Sequence, residues 1–239
     1  MKYYISDILE AVRVTLDQNQ EETILLEDAD TLQLDALIRE KIEECALWVN
    51  EHAALEQITE VKEVVSSDGA DDRGELTILL PGDWLRLKVA KMQDWKIPVR
   101  IAVSDVSDVA LMRWSDYKGI RPTTLRPMAV ETEIADGRAL VLCGSEENAK
   151  LEYARYVPIP KIAVESGTDD EPPVGEGPTD NPGTETRTST EDAEYMDFTE
   201  QLYPSLVNRI AGVVAVAWQD QRAKDYVTIS SEYIAGQEQ

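Results

Sequence analysis

This sequence is poor in the side chains that most often carry chemistry. Its 239 residues include one histidine, one phenylalanine and two cysteines. His52 follows what reads as the end of a helix, and Cys45 and Cys143 lie far apart without a partner motif. We therefore expect two buried, reduced thiols, no metal site of zinc type, and a surface or capping role for His52.

Long apolar runs are also lacking. No stretch approaches the roughly 18 to 20 apolar residues that span a bilayer. The opening residues, "MKYYISDILEAV", lack the apolar core and the cleavage site of a signal peptide. We expect a protein that is made in a cytoplasm and has no membrane contact.

Catalytic motifs are missing as well. The sequence contains no nucleophile elbow, no phosphate-binding glycine loop and no dinucleotide fingerprint. Neighbouring carboxylates such as Asp71 and Asp72 fall in predicted loops, where solvated charge is the usual explanation. We therefore expect no enzymatic activity and no cofactor.

Negative charge is what the sequence has in excess. Asp and Glu number 47 against 23 Lys and Arg, which gives a formal net charge of -24. This balance disfavours a protein that grips nucleic acid through phosphate contacts, because such contacts need clustered cations. With 43% apolar residues the chain can still form a substantial core.

Helical periodicity marks both ends of the chain. Apolar residues recur at helical spacing over residues 5–18 and 30–49, and again over residues 195–219, followed by a possible shorter helix with a polar tail. Residues 53–65 fit a helix, although their last part also fits a strand. The sequence leaves both readings open there.

Strand periodicity fills the middle of the chain. Residues 75–103 show three alternating runs separated by turn residues, which predicts an antiparallel meander. Its outer face would carry Trp84, Arg86, Lys88, Lys96 and Arg100. Residues 107–116 look like a short helix. Further strands are predicted at 128–134, after a type I′ turn at Asp136-Gly137, and at 150–160.

Residues 165–194 differ from the rest of the chain. They contain ten acidic residues, one cation and many Pro, Gly and Thr residues without apolar periodicity, which predicts a long loop. We therefore divide the chain into N-terminal helices (1–65), an antiparallel β-region (66–164), this acidic loop (165–194), and C-terminal helices with a tail (195–239). The predicted fold class is α+β, with a helical bundle of N- and C-terminal helices and the β-region inserted between them.

The stretch "TILLPGDWLRLKVAKMQDWKIPV" resembles head-to-tail adaptor proteins of tailed bacteriophages, also called ring, connector or tail-tubular proteins. The helical stretch "ALIREKIEECALWVNEHA" is similar to the same proteins, most of all those of crAss-like phages. The resemblance covers most of the chain except residues 165–194. That long acidic loop departs from the shorter adaptors of the family.

The resemblance implies a structural virion protein of the neck or tail that is assembled in the host cytoplasm. About twelve copies would form a ring below the portal, extend the DNA channel and dock the next tail component. The partners would be other copies of the chain, the portal protein and an adjacent ring or tail protein. Genome DNA would pass through the channel without specific binding.

Two contact sites follow as hypotheses from this resemblance. The outer face of the predicted meander (Trp84, Arg86, Lys88, Lys96 and Arg100) would form an inter-subunit or inter-ring contact. The C-terminal residues 225–239 would dock the portal through Asp225, Tyr226, Tyr233 and Ile234.

Two other readings stay open. The chain could be an acidic binding or assembly-chaperone module that holds a basic partner through residues 165–194. The group Trp84, Arg86 and Lys88 also weakly resembles a stacking platform for single-stranded nucleic acid.

Overall fold

The computed structural model describes residues 1–18, 28–117, 119–165, 193–217 and 223–235. Helices and sheets are both present, so the α+β class is confirmed. The elements follow one another as β1 (Lys2–Tyr4), α1 (Ile5–Gln18), α2 (Asp28–His52), β2 (Lys62–Val64), β3 (Glu75–Leu79), β4 (Trp84–Met92), β5 (Ala102–Ser104), β6 (Met128–Ile134), β7 (Gly137–Cys143), β8 (Leu151–Pro158), β9 (Ile162–Glu165), β10 (Ala193–Asp197), α3 (Tyr203–Ala217) and α4 (Ala223–Ala235). Short 3₁₀ helices cover Ala110–Trp114 and Glu200–Leu202.

The chain separates into two compact units. The first contains Met1–Cys45, Pro160–Phe198 and Tyr203–Ser231, and the second contains Ala46–Ile159, Thr199–Leu202 and Glu232–Gln239. These boundaries do not coincide with those suggested by the sequence, because helices α2 and α4 each contribute residues to both units.

Helix α1 packs against helix α3 in the first unit. The helix predicted over residues 5–18 is confirmed, and its apolar residues Ile8 and Val12 are fully buried. Tyr3 and Tyr203 stack with ring centroids 4.3 Å apart. The helix predicted at 30–49 is confirmed as the longer α2.

A small antiparallel sheet, in the order β1-β10-β9, completes the first unit. The sequence predicted neither β1 nor β10, and it extended the C-terminal helix back to Tyr195. That helix begins only at Tyr203, where Pro204 fits because the first turn of a helix needs no N–H donor. Both ends of the predicted acidic loop are strands that pair with each other, Ala193 opposite Glu165. Residues 166–192 lie outside the described residues.

The second unit contains two sheets. One has the order β2-β8-β4, and the other has the order β3-β7-β6-β5 with β5 parallel to β6. Their shared core holds the side chains of Leu76, Ile78, Trp84, Leu87, Ala90, Met92, Trp95, Leu140, Leu142 and Tyr156. The strands predicted at 128–134 and 150–160 are confirmed as β6 and β8.

The predicted meander is wrong. Strand β3 pairs with β7, and β4 pairs with β8, so the two strands belong to different sheets. The third run pairs with β4 only through an isolated antiparallel bridge between Val99 and Ala90 and forms no named strand before Ala102. Its residues Ile97 and Ile101 are exposed instead of buried. The alternation of apolar and polar residues predicted where strands lie but not which strands pair. Pairing between strands that are distant in sequence depends on the packing of the whole core.

Register shifts along β4 explain which of its side chains are buried. The pairing with β8 is irregular between Trp84 and Arg86, between Leu87 and Val89, and between Lys91 and Met92. Each bulge rotates the side chains that follow it relative to the sheet. Strict alternation therefore fails, and Trp84 lies on the core side with Leu87 and Met92.

Three local predictions need correction. Residues 53–61 form no helix, and only the strand reading survives, as β2. The short helix predicted at 107–116 is a 3₁₀ helix over Ala110–Trp114. The hairpin between β6 and β7 is present, but its turn is not type I′, because Gly137 has a positive φ and Asp136 does not.

Candidate interaction surface

Trp84, a predicted surface contact, is instead buried in the second unit. Its side chain is 1% exposed, and its Nε1–H donates a hydrogen bond to Glu131 Oε1 at 3.1 Å. The indole stacks on the Tyr156 ring with centroids 5.0 Å apart. Trp84 therefore stabilises the core and cannot form an outer contact or a stacking platform for bases.

Arg86 and Lys88 are also occupied within the unit. The Arg86 guanidinium donates to the carbonyl oxygens of Glu51 and Ala53, and the Lys88 ammonium donates to the carbonyl oxygen of Ile58. Burial lowers the pKa of both side chains from their ordinary values. The two cations thus hold the irregular segment after α2 against β4.

Lys96 and Arg100 are the members of the predicted contact face that remain exposed. Arg100 forms a solvent-exposed ion pair with Glu56 at 3.2 Å. Such a pair contributes little to stability. The structure therefore does not bring the five predicted contact residues together on one outer face.

The predicted portal-docking residues lie on helix α4 rather than in a polar tail. Tyr226 is buried, Tyr233 is about half exposed, and the carbonyl oxygen of Ile234 accepts a hydrogen bond from Gln57 Nε2 at 3.3 Å. The side chain of Asp225 lies outside the described residues. A Cβ at Gly212 would lie 3.2 Å from the Tyr226 Cβ, so α3 and α4 approach closely there.

Exposed apolar side chains concentrate in one segment of the second unit, which we call the 97–125 surface. Its members are Ile97, Ile101, Val106, Val109, Leu111, Met112, Trp114, Tyr117, Ile120 and Leu125. Val106 is 89% exposed and Tyr117 is 76% exposed. Clustered apolar exposure of this kind marks interaction sites on soluble proteins.

Sequence reasoning missed this surface, although a signal was present. It assigned Ile97 and Ile101 to the buried face of a strand, residues 107–116 to a short helix and residues 117–127 to a loop. Apolar residues continue through residues 106–125, where a solvated loop would be mostly polar. Six Lys and Arg residues against three Asp residues between 96 and 126 also set this segment apart from a chain of net charge -24.

A cavity adjoins the 97–125 surface. It has a volume of about 270 Å³ and is lined by Arg73, Glu75, Arg113, Trp114, Ser115, Asp116 and Arg121, and we call it the arginine cavity. The Arg113 guanidinium lies over the Trp114 ring, 4.2 Å from its centroid. Arg121 Nη2 donates to the carbonyl oxygen of Arg73 at 2.9 Å. Three arginine residues thus line one opening.

A second cavity, in the first unit, is lined by groups that already bind one another. Arg39 forms an ion pair with Glu194, and Glu43 Oε1 accepts a hydrogen bond from the backbone N–H of Ile162 at 2.8 Å. These bonds tie helix α2 to strands β9 and β10. The charged side chains that line this cavity are therefore explained by their contacts with one another and with the backbone.

The two cysteines and the histidine occupy structural positions. Cys45 and Cys143 are buried and free, as predicted, and burial raises the pKa of each thiol to about 12. His52 ends α2 with its ring stacked on Trp48 and its Nδ1 2.8 Å from the Trp48 carbonyl oxygen. Within the described ranges no three His, Cys, Asp or Glu side chains are grouped as a metal site. None of the helices described there combines the length and hydropathy needed to cross a bilayer.

No protein-family model matches the sequence, and a search of curated proteins finds no match.

Proposed function

We propose that this protein is a structural component of a virion, a head-to-tail adaptor that forms a ring below the portal, extends the DNA channel and docks the next tail component. The observation that carries the proposal is the 97–125 surface. Ten large apolar side chains exposed within one segment favour a protein whose working state is an assembly. Each such side chain gains about 25 cal/mol per Å² of apolar surface removed from water.

The 97–125 surface takes the role of inter-subunit or inter-ring contact in this proposal. A ring with head-to-tail interfaces requires that one patch of each subunit meets a different patch of the next. A segment with a surplus of cations, on a chain whose remaining residues are strongly acidic, provides complementary charges for such a contact. In the sequence, Lys96 directly precedes this segment and Arg100 lies within it.

The proposed architecture has the N- and C-terminal helices in a bundle, with the β-region inserted into it. Packing of α1 against α3, and the close approach of α3 and α4 at Gly212, support this arrangement. Tyr233, which is half exposed on α4, is the proposed portal contact. An acidic channel wall would repel DNA and let the genome slide without binding.

An acidic binding module is the second candidate, because residues 165–194 carry ten acidic residues and one cation. Such a module would hold a basic partner, or act as an assembly chaperone, through that segment. It would stay a monomer or dimer and would bind a basic protein. Deletion of residues 166–192 would abolish this binding.

Negative-stain electron microscopy tests the two candidates. The full chain is imaged alone and then mixed with portal protein from the same virus. Rings, or portals with an additional tier, would support the adaptor. A particle that remains a monomer and leaves the portal unchanged would contradict it and favour the acidic module.

A further inference from the structure

We propose that the arginine cavity is a binding site for an acidic peptide segment, with one carboxylate held by Arg113 and Arg121 and apolar neighbours of that carboxylate packed on the 97–125 surface. This inference goes beyond the adaptor function and does not depend on it. Both use the 97–125 surface, so a bound peptide would compete with an inter-subunit contact there. It rests on the arrangement of three arginines, on the absence of a carboxylate ion-pair partner for each of them among the described residues, and on the apolar side chains beside them.

The three arginines reach the cavity from separate elements. Arg73 lies in the turn that precedes β3, Arg113 lies on the 3₁₀ helix Ala110–Trp114, and Arg121 lies in the loop before β6. The bond from Arg121 Nη2 to the Arg73 carbonyl oxygen holds two of these segments together. The cavity is therefore built by folding rather than by one run of basic sequence.

None of the three guanidinium groups forms an ion pair with a carboxylate among the described residues. This is unusual in a chain with twice as many acidic as basic residues. Other cations do find acidic partners, as Arg155 does with Glu63 at 2.7 Å. Three unpaired arginines at one opening leave a site where an incoming anion is favoured.

Arg113 has the most constrained position of the three. Its guanidinium is stacked on the Trp114 indole, and its Nε–H is buried without a hydrogen-bond partner among the described residues. A buried donor without an acceptor costs free energy. Arginine and carboxylate form paired, charge-assisted hydrogen bonds because the spacing of their atoms matches. A carboxylate bound in the cavity would thus supply the negative charge that Arg113 lacks among the described residues.

The charge of the lining favours a carboxylate over phosphate. Glu75 and Asp116 also line the cavity, so three cations face two anions and the net charge is +1. A single carboxylate balances this charge, whereas a dianionic phosphate would be repelled by the two acidic side chains. The volume of about 270 Å³ lies near the lower end of ligand sites, as expected for one side chain.

The surroundings favour a peptide over a free small acid. Trp114 lines the cavity and is 58% exposed, and Tyr117 and Ile120 follow it in the chain with exposures of 76% and 50%. Apolar residues on either side of a bound acidic residue can cover these side chains. A small acid such as acetate would leave them in water, so the peptide should bind more tightly.

Fluorescence anisotropy of the full chain tests the proposal, with a fluorescein-labelled peptide of the sequence Gly-Leu-Glu-Leu-Gly as the probe. We expect Arg113→Gln and Arg121→Gln each to weaken binding about tenfold, because each removes a charge-assisted hydrogen bond. Arg126→Gln is the matched control, since Arg126 is exposed in the same loop and does not line the cavity. Circular dichroism checks that each variant is folded. If Arg113→Gln does not fold, Arg121→Gln still tests the proposal, because Arg121 is exposed.

Substitution in the probe gives the second arm. The peptide with glutamine in place of glutamate should bind about tenfold more weakly, and acetate should compete poorly against the glutamate peptide. Equal binding of the two peptides, equal binding by the wild type and the two arginine variants, or no binding at millimolar peptide would each overturn the proposal. Phosphate that competes more strongly than the unlabelled peptide would show a general anion site and overturn the peptide class. These binding measurements do not require a ring, so failure to form rings would bear on the adaptor function alone.

Discussion

The Trp84 indole is the largest fully buried side chain of the second unit. It contacts the Tyr156 ring and donates to Glu131, and thereby links strand β4 to strands β8 and β6. The Tyr156 hydroxyl in turn donates to Asp83 Oδ1 at 2.8 Å, and Lys62 Nζ lies 2.6 Å from Asp83 Oδ2. One aromatic pair and one carboxylate therefore connect several strands at a single place.

We predict that Trp84→Ala lowers the free energy of unfolding by about 3–5 kcal/mol, because it leaves a cavity in the core and removes the hydrogen bond to Glu131 Oε1. Urea denaturation followed by circular dichroism measures the change. Trp114→Ala is the matched control, because Trp114 is 58% exposed, and it should change stability by about 0.5 kcal/mol or less. Equal effects of the two substitutions would contradict the burial assigned to Trp84.

Asp83 gives the second unit a dependence on acid. Burial alone would raise the pKa of the Asp83 carboxyl. The hydrogen bonds from Lys62 and Tyr156 together lower this pKa by more than burial raises it, so the folded pKa lies below the ordinary value of 3.8. A depressed folded pKa means that the stabilisation is present above the unfolded pKa and is lost as pH falls through the folded pKa.

We therefore predict that Asp83→Asn destabilises the protein at pH 7, and that its difference from the wild type shrinks as pH falls below about 4. Urea denaturation at pH 7, 5 and 3 measures both proteins. Asp72→Asn, at an exposed position in the loop before β3, is the control and should show no such pH-dependent difference. A difference for Asp83→Asn that stays constant between pH 7 and pH 3 would rule out the proposed carboxylate interactions.

At the scale of elements, the turn before β3 shows how local backbone geometry positions a strand. Asp71 Oδ1 accepts hydrogen bonds from the backbone N–H groups of Arg73 and Glu75. Gly74 follows with a φ of +76°, and its carbonyl oxygen accepts from the N–H groups of Gly144 and Ser145. This turn joins the start of β3 to the end of β7, and it also places Arg73 at the arginine cavity.

Gly74→Ala should destabilise the protein by about 2 kcal/mol or more. The residue has a positive φ, and a Cβ there would lie 2.1 Å from the Ser145 carbonyl oxygen. Gly82→Ala is the comparison, because a Cβ at Gly82 meets nothing within 4 Å, and it should be neutral or stabilising by up to about 1 kcal/mol. Thermal and urea denaturation measure the stability of both variants. Similar stabilities of Gly74→Ala and Gly82→Ala would show that the turn at Gly74 relaxes to accept a side chain.

At the scale of the whole molecule, net charge and exposed apolar surface have opposite effects on the association of copies. A net charge of -24 keeps copies of the chain apart through repulsion, whereas the 97–125 surface favours association. The surplus of cations near that surface lowers the repulsion locally. Association would therefore be directed to one surface.

Val106→Asp tests this surface. We predict that it leaves the free energy of unfolding within about 0.5 kcal/mol of the wild type and abolishes ring formation or portal binding, because it places a charge on the apolar contact. Val65→Asp is a close control, since both valines are 89% exposed in the second unit and only Val106 belongs to the 97–125 surface. Assembly is measured by electron microscopy and sedimentation. If Val65→Asp impaired assembly as strongly as Val106→Asp, the 97–125 surface would not be the contact.

Much of the fold was predictable where contacts are local. Helices α1 and α2 follow from apolar residues at helical spacing, and the β6–β7 hairpin follows from two alternating runs around Asp136 and Gly137. The candidate site was not predictable in this way. The arginine cavity depends on Arg73, Arg113 and Arg121, which are separated along the chain and meet only after β3 has paired with β7.

The sequence by itself determined the α+β class, the places of most helices and strands, and a strongly acidic protein with two buried thiols. Those features depend on periodicity and composition, which act over a few neighbouring residues or over the chain as a sum. Only the tertiary structure decided that β3 and β4 belong to different sheets, that bulges turn Trp84 inward, and that the 97–125 surface faces water. Strand partners and burial depend on residues far away in the chain, so no local pattern contains them.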